Sequence, residues 1–268
     1  MAESKIGIGL GGGAILGAAH IGVLKALQEE GIAVGAISGT SIGAFVAALY
    51  AFEVPPDEIE KIVLELDWLD MAGFAFSKMG FLSNAKMGKK ITEVLGEVQF
   101  KDARIPLSFM ATDVGNFEKI ILDLGDVAEA VMASTCVPGI FIPVDIEGRM
   151  LVDGGLMENA PLSPLFNQNM DTVIGVDLNA GRKFKRPEDL IDVLLNAIDI
   201  AIDNATRLQT RKADLLIAPE LSAYNRTDRE RIPELIREGH AAARKTLSSI
   251  GHEILSQGIA IQRSISSR

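Results

Sequence analysis

The chain has 268 residues, 48% of them hydrophobic and 23% charged, and carries a net charge of −10. That acidity excludes a protein built to neutralise nucleic-acid phosphates and opposes electrostatic docking on anionic lipid, so a membrane contact would have to be apolar and local. One cysteine, Cys136, excludes an internal disulfide. With no basic leader ahead of an apolar run, the expectation is a reducing, cytoplasmic compartment, with peripheral attachment at a membrane as the variant of it.

Residues 5–10 read as a first strand, short and β-branched, running into Gly11-Gly12-Gly13-Ala14. A helix follows over about 18–30, carried by Ile21, Leu24 and Leu27 and stopped by Gly31. Residues 32–37 read as a second buried strand and 44–52 as a buried helix. Between them lies Ser38-Gly39-Thr40-Ser41-Ile42-Gly43, a Gly-x-Ser-x-Gly set in the strand–turn–helix context of a nucleophile elbow. Gly39 and Gly43 remove the Cβ atoms that such a sharp turn would drive into its neighbours. Residues 6–24 and 32–52 carry no Asp, Glu, Lys or Arg, and each is long enough to cross a bilayer. Each is broken by small polar residues where a strand should turn, so both read as units of a doubly covered parallel sheet.

A glycine-rich loop between strand and helix offers a row of N–H groups to an anion. The anion could be a nucleotide phosphate or the oxyanion of an acyl intermediate, and a loop serving packing alone is the third reading. The dinucleotide fingerprint fails, because the sixth position from Gly11 is Leu16 and the third from Gly12 is Ala14. No Gly-Lys-Ser/Thr follows, so a P-loop fails too.

Pro55 and Pro56 open a helix over 57–66. The stretch 67–82 holds the one tryptophan, Trp68, with Phe74, Phe76 and Phe81, and lacks clean periodicity. It reads either as inserted core or as an apolar flap that binds an acyl chain. A helix over 84–95 precedes strands 107–113 and 118–124, joined at Gly115-Asn116. Asp126 caps a helix to 133, which Ser134 to Gly139 ends. Cys136 reads as a packed thiol. Residues 150–152 form a short strand ending in Asp153-Gly154-Gly155, a carboxylate on a tight loop. Then come a strand at 172–177, a charged loop at 183–187 and a helix over 189–211. That helix is apolar at Leu190, Val193, Leu194, Ala197, Ile198, Ala201 and Ile202. A strand at 213–219, a helix from 228 to about 255 kinked at Pro233, and a frayed end at 264–268 complete the chain. No repeat or linker divides it, so one domain over 1–268 is expected.

Taken in order, the glycine loop with His20-Ile21-Gly22-Val23-Leu24, Gly39 to Gly43, Ala111-Thr112-Asp113, the Ala-Ser-x-x-x-Pro-Gly run from Ala133, and Asp153 to Asn159 resemble the patatin-like phospholipase family. The resemblance covers residues 5–177; helical and strand elements at 188–260 follow it. It implies a three-layer α/β/α sandwich with a mostly parallel sheet, and hydrolysis of lipid acyl esters without metal or cofactor. Ser41 then matches the nucleophile, Asp153 the base of a Ser–Asp dyad, and Gly11, Gly12, Gly13 and Ala14 the oxyanion loop. Leu16 stands where the family usually carries Arg or Lys. The resemblance therefore points to an acyl ester hydrolase more firmly than to a phospholipase.

An α/β-hydrolase also places Gly-x-Ser-x-Gly before an acid and a histidine. Here only one strand precedes the elbow, and His240 and His252 fall in a polar helix pattern. His20 reads as structural. Two other roles for the same fold stay open, a non-hydrolytic lipid-binding or regulatory protein and an acyltransferase. The sequence is silent on head group, chain length and oligomeric state.

Overall fold

The computed structural model describes residues 5–66, 73–74, 80, 82–181, 186–225 and 229–249. Strand β1 (Ile6–Leu10) passes through the glycine loop and a 3-10 turn (Ala14–Gly17) into α1 (Ala18–Glu29). Strand β2 (Val34–Thr40) and α2 (Ile42–Ala51) repeat the pattern, followed by α3 (Pro56–Glu65), a small hairpin of β3 (Gly73–Phe74) and β4 (Leu82–Ser83), and α4 (Ala85–Leu95). Next come β5 (Leu107–Asp113), β6 (Glu118–Leu122), α5 (Val127–Ser134), β7 (Val144–Ile146), β8 (Arg149–Asp153), α6 (Gly155–Glu158) and α7 (Ser163–Asn167). The last elements are β9 (Thr172–Val176), α8 (Leu190–Gln209), β10 (Leu215–Ile217) and α9 (Ile232–Ser248).

The main sheet runs β10-β9-β1-β2-β5-β8-β7, with β6 also on β5. Strands β10, β9, β1, β2 and β5 are mutually parallel, while β6, β8 and β7 are antiparallel additions. The sequence of β1, Ile-Gly-Ile-Gly-Leu, shows how two layers are held at different depths. Ile6, Ile8 and Leu10 enter the large core beneath α1, α2 and α9. Gly7 and Gly9 face the other way, where Met170, Leu165 and Leu162 press in so closely that a Cβ would meet them at 2.8–3.1 Å. Period-two alternation thus separates a broad helical layer from a second one built on α7.

Several expectations are refined. The second strand continues through Ser38-Gly39-Thr40, and its helix begins at Ile42, so the turn contracts to Ser41 alone. The β7–β8 hairpin is new. Pro233 sits in the first turn of α9, where a missing N–H costs nothing, so it starts that helix instead of kinking it. The apolar stripe of α8 leaves Leu190, Val193 and Leu194 facing solvent. Of the aromatic stretch, Phe74 pairs with Leu82 across the β3–β4 hairpin, while Trp68, Phe76 and Phe81 lie outside the described residues. Among those residues no helix is long and apolar enough to cross a membrane.

Helices α1 and α9 cross at Gly22 and Gly239, where a Cβ would run into the carbonyl oxygens of Ile236 and Ala19 respectively. Ala is the better helix former by about 1 kcal/mol, but overpacking a tight crossing costs about 1–3 kcal/mol and here involves rigid backbone. Gly22→Ala is therefore expected to lower stability by about 1–2 kcal/mol. Urea unfolding checks this, as a lower midpoint at unchanged slope.

Candidate active site

Strand β5 brings the site together. Its residues Leu107–Met110 pair with β2, and its residues Ala111–Asp113 pair with β8. Strand β6 pairs with Phe109 to Asp113 and so takes the opposite edge from both. Strands β2 and β8 therefore lie end to end along one edge of β5, running toward each other. Thr40 is opposite Met110 and Asp153 is opposite Ala111, consecutive residues of one strand. Ser41 follows Thr40 directly, so the two C-terminal ends deliver a hydroxyl and a carboxylate to one spot.

The local backbone fits that role. Ser41 has φ 54° and ψ −127°, a conformation in which a non-glycine residue is strained. It is held there by its N–H donating to Ser134 Oγ at 2.9 Å and by its carbonyl accepting from Ala44 N–H at 2.8 Å. A Cβ on Gly39 would stand 2.5 Å from the backbone of Gly43 and Ala44, and one on Gly43 would strike the Leu10 carbonyl. Asp153 is fixed on three sides. Its N–H donates to Cys136 O at 2.8 Å, its carbonyl accepts from Thr112 Oγ1 at 3.0 Å, and its Oδ1 accepts from Gly155 N–H at 2.8 Å. The Asp-Gly-Gly spacing matters here, because a Cβ on Gly154 would collide with the Met110 carbonyl. The segment Ser134-Thr135-Cys136 thus ties down both residues. Burial and the Asp153 charge push the Cys136 thiol up to about 12, which leaves it a packing group.

Ser41 and Asp153 line one cavity of about 680 Å³ with Gly12, Gly13 and Ala14, and its remaining walls include Leu16, Phe141, Leu195 and Ile198. The glycine loop is locked into it. Gly11 N–H donates to Val176 O at 3.1 Å, and Gly11 O accepts from His20 Nε2 at 2.7 Å. Gly12 N–H donates to Asn159 Oδ1 at 3.2 Å, and Gly12 O accepts from Asn179 Nδ2 at 3.1 Å. Asp177 in turn orients Asn179 by accepting its N–H at 2.9 Å. Of the four expected oxyanion donors, Gly11 and Gly12 are therefore committed to the fold. Gly13 and Ala14 N–H have no hydrogen-bond partner among the described residues. A Cβ on Gly12 would stand 3.2 Å from Ser41 Cβ, so the loop passes directly beside the hydroxyl. Leu16 is buried and belongs to the main core.

The two histidines among the described residues are engaged elsewhere. His240 Nε2 meets Glu29 Oε2 at 2.8 Å on the α1–α9 face, and His252 lies outside the described residues. His20 is wholly buried, with Nδ1 unpartnered, and burial lowers its pKa to about 4. It is therefore neutral, with Nε2 carrying the proton that Gly11 O accepts. No metal-ligating cluster of three or more residues occurs among the described residues. His20 is structural, as the sequence suggested. Sequence reasoning passed over the jobs of Ser134, Asn159 and Asn179. The first two lie inside recognised motifs and could have been flagged, whereas Asn179 is an ordinary loop residue with no signal of its own.

Fold and site together define an α/β protein with a strained serine at a strand-to-helix turn and a strand-end aspartate lining the same cavity. The profile of the patatin-like phospholipase family matches residues 9–166, and the chain belongs to that family. An uncharacterised NTE-family protein of Mycobacterium bovis is 32% identical over 178 residues, covering 65% of this chain and 49% of the relative. Lysophospholipase NTE1 of Meyerozyma guilliermondii is 24% identical over 281 residues, covering 93% of this chain and 20% of that protein. The chain thus spans about half of the first relative and a fifth of the second. The crystal structure of VipD from Legionella pneumophila superposes with a TM-score of 0.62 at 14% identity, covering 92% of this chain and 67% of that one. ExoU in its complex with SpcU from Pseudomonas aeruginosa gives 0.51 at 16% identity, covering 92% and 52%. These two likenesses establish a shared fold.

His20 makes stability depend on pH. Unfolded, it titrates near 6.5, and folded, at about 4, so between those values the unfolded chain holds the extra proton. Its contribution is complete above about pH 6.5 and is lost as pH falls toward 4, amounting to about 2 kcal/mol between pH 7 and 5. His20→Gln, which keeps a donor without titrating, is expected to flatten that part of the stability–pH curve, measured by urea unfolding at several pH values.

Proposed function

We propose that the chain is a lipid acyl hydrolase working through an acyl-serine intermediate, with Ser41 as nucleophile and Asp153 as base. The observation that carries this reading is the end-to-end meeting of β2 and β8 on one edge of β5, which sets a strained serine and a fixed carboxylate on the wall of one cavity. Ser41 Oγ attacks the ester carbonyl while Asp153 accepts its proton. Negative charge develops on the carbonyl oxygen, and the unpartnered N–H groups of Gly13 and Ala14 receive it. The tetrahedral intermediate collapses, the alcohol leaves with the proton from Asp153, and a water deprotonated by Asp153 then releases the fatty acid. A carboxylate is an intrinsically weak base, so its contribution rests on position. Oδ1 is already tied to Gly155 N–H, which fixes the carboxyl plane.

The apolar walls at Leu16, Phe141, Leu195 and Ile198 suit a fatty-acyl chain. Family membership and the yeast relative named a lysophospholipase support a phospholipid or lysophospholipid substrate. Leu16 brings no charge to the loop, and of the described residues lining the cavity the cation is Arg186, among the carboxylates of Glu188, Asp192 and Asp199.

Ser41→Ala and Asp153→Asn are each expected to lower p-nitrophenyl ester turnover by about three orders of magnitude or more with the far-UV spectrum unchanged, while His240→Ala keeps wild-type turnover. Turnover that survives Ser41→Ala, or that His240→Ala abolishes, removes the dyad. A wild-type protein inactive on every ester of a lipid panel leaves the non-hydrolytic role instead.

A further inference from the structure

Helix α8 is amphipathic in reverse. Its 20 residues place Leu190, Val193, Leu194, Ile200 and Leu208 on the outer side, with Leu190 73%, Leu194 56% and Leu208 61% exposed. The exposed Ala197 and Ala201 fill the same face, the uncharged Asn204 lies on it, and the exposed Arg207 stands at its flank near the C-terminal end. Four polar residues point the other way: Asp192 and Asp199 line the Ser41 cavity, and Asp203 and Thr206 are buried. Leu195, Ile198 and Ile202 complete that inner side, so α8 forms one wall of the cavity while showing an apolar stripe to water. A stripe of this kind calls for a partner.

We propose that the outer face of α8 seats on an uncharged, zwitterionic lipid surface and holds the Ser41 cavity against it; this rests on the acyl hydrolase reading above. Three observations select that occupant. Helix α8 holds one cation, Arg207, at the flank of the stripe, in a chain of net charge −10, so its partner is recognised by apolar contact and not by anionic head groups. One helix face about 30 Å long and about 10 Å wide offers roughly 300 Å² per copy, well short of the roughly 800 Å² per partner of a stable dimer. A lipid surface sets no such minimum. The same helix carries the cavity wall on its other side, so seating the stripe holds the site one helix's width, about 10 Å, from the substrate's own phase.

Flotation with phosphatidylcholine vesicles tests the proposal on the full chain. The wild type is expected to float, with the bound fraction unchanged as salt rises through the range that screens surface charge. Leu190→Gln combined with Leu194→Gln touches no cavity-lining residue and is expected to cut partitioning at least about tenfold, two leucines being worth more than that. Turnover of a short soluble ester should stay within about twofold, showing an intact fold and site, while hydrolysis of lipid presented in the vesicles falls with binding. A wild type that stays off the vesicles, a double variant that floats equally well, or a solution dimer that the double variant dissociates would each overturn the proposal. Flotation is read without turnover, so a protein that floats but hydrolyses nothing fails the acyl hydrolase reading while leaving the seating of α8 intact.

Discussion

The structure depends on two strands sharing one edge of a third. Strand β5 offers that edge first to β2 and then to β8, and the change of partner falls between Met110 and Ala111. A parallel strand and an antiparallel one must then end facing each other. Whatever residues stand at those ends meet, although they are more than a hundred positions apart in the chain. Here they are Ser41, one residue past the end of β2, and Asp153, the last of β8. The hydrogen bonds of Ser134 and Cys136 to their backbones keep both ends from drifting.

The same economy governs the glycine loop. Its first two peptides are satisfied by the fold on nearly every side, through Val176, His20, Asn159 and Asn179. Its next two amides have no partner among the described residues and stand at the wall of the cavity that Ser41 also lines. Gly13 is buried, and a buried N–H without a partner is costly and needs a reason, whereas Ala14 is exposed and water can meet its N–H. In the function proposed above a developing oxyanion supplies that reason, and the hydrogen bonds on Gly11 and Gly12 hold the loop in place. Neutral His20 belongs to this scaffold: a charged imidazolium there would stand buried with no counter-ion.

Much of this was legible in the sequence. The apolar runs at 5–10 and 32–37, each flowing through glycines into an apolar helix, showed the two central strands, although the second extends to Thr40 and so leaves Ser41 alone in the turn. Asp153 before two glycines was readable for the same reason, since only glycine tolerates the close passage beside Met110. What escaped was long-range register. Nothing in residues 144–153 announces that β8 runs antiparallel and abuts β2, because that depends on which edge β5 leaves free. Side-chain clamps such as Asn179 were invisible, being defined by a partner 167 positions away. The stripe of α8 was seen as helical spacing, but spacing gives a face, not its direction, and the usual inward assignment is reversed here.

The most direct test is the structure of the protein after reaction with a long-chain alkyl fluorophosphonate, whose phosphonyl oxygen imitates the oxyanion. The account predicts an adduct on Ser41 Oγ, that oxygen within about 3 Å of Gly13 and Ala14 N–H, and the Asp153 carboxylate within hydrogen-bond reach of the Ser41 side chain. An adduct on another residue, or one on Ser41 with a histidine ring in the place assigned to Asp153, would contradict it.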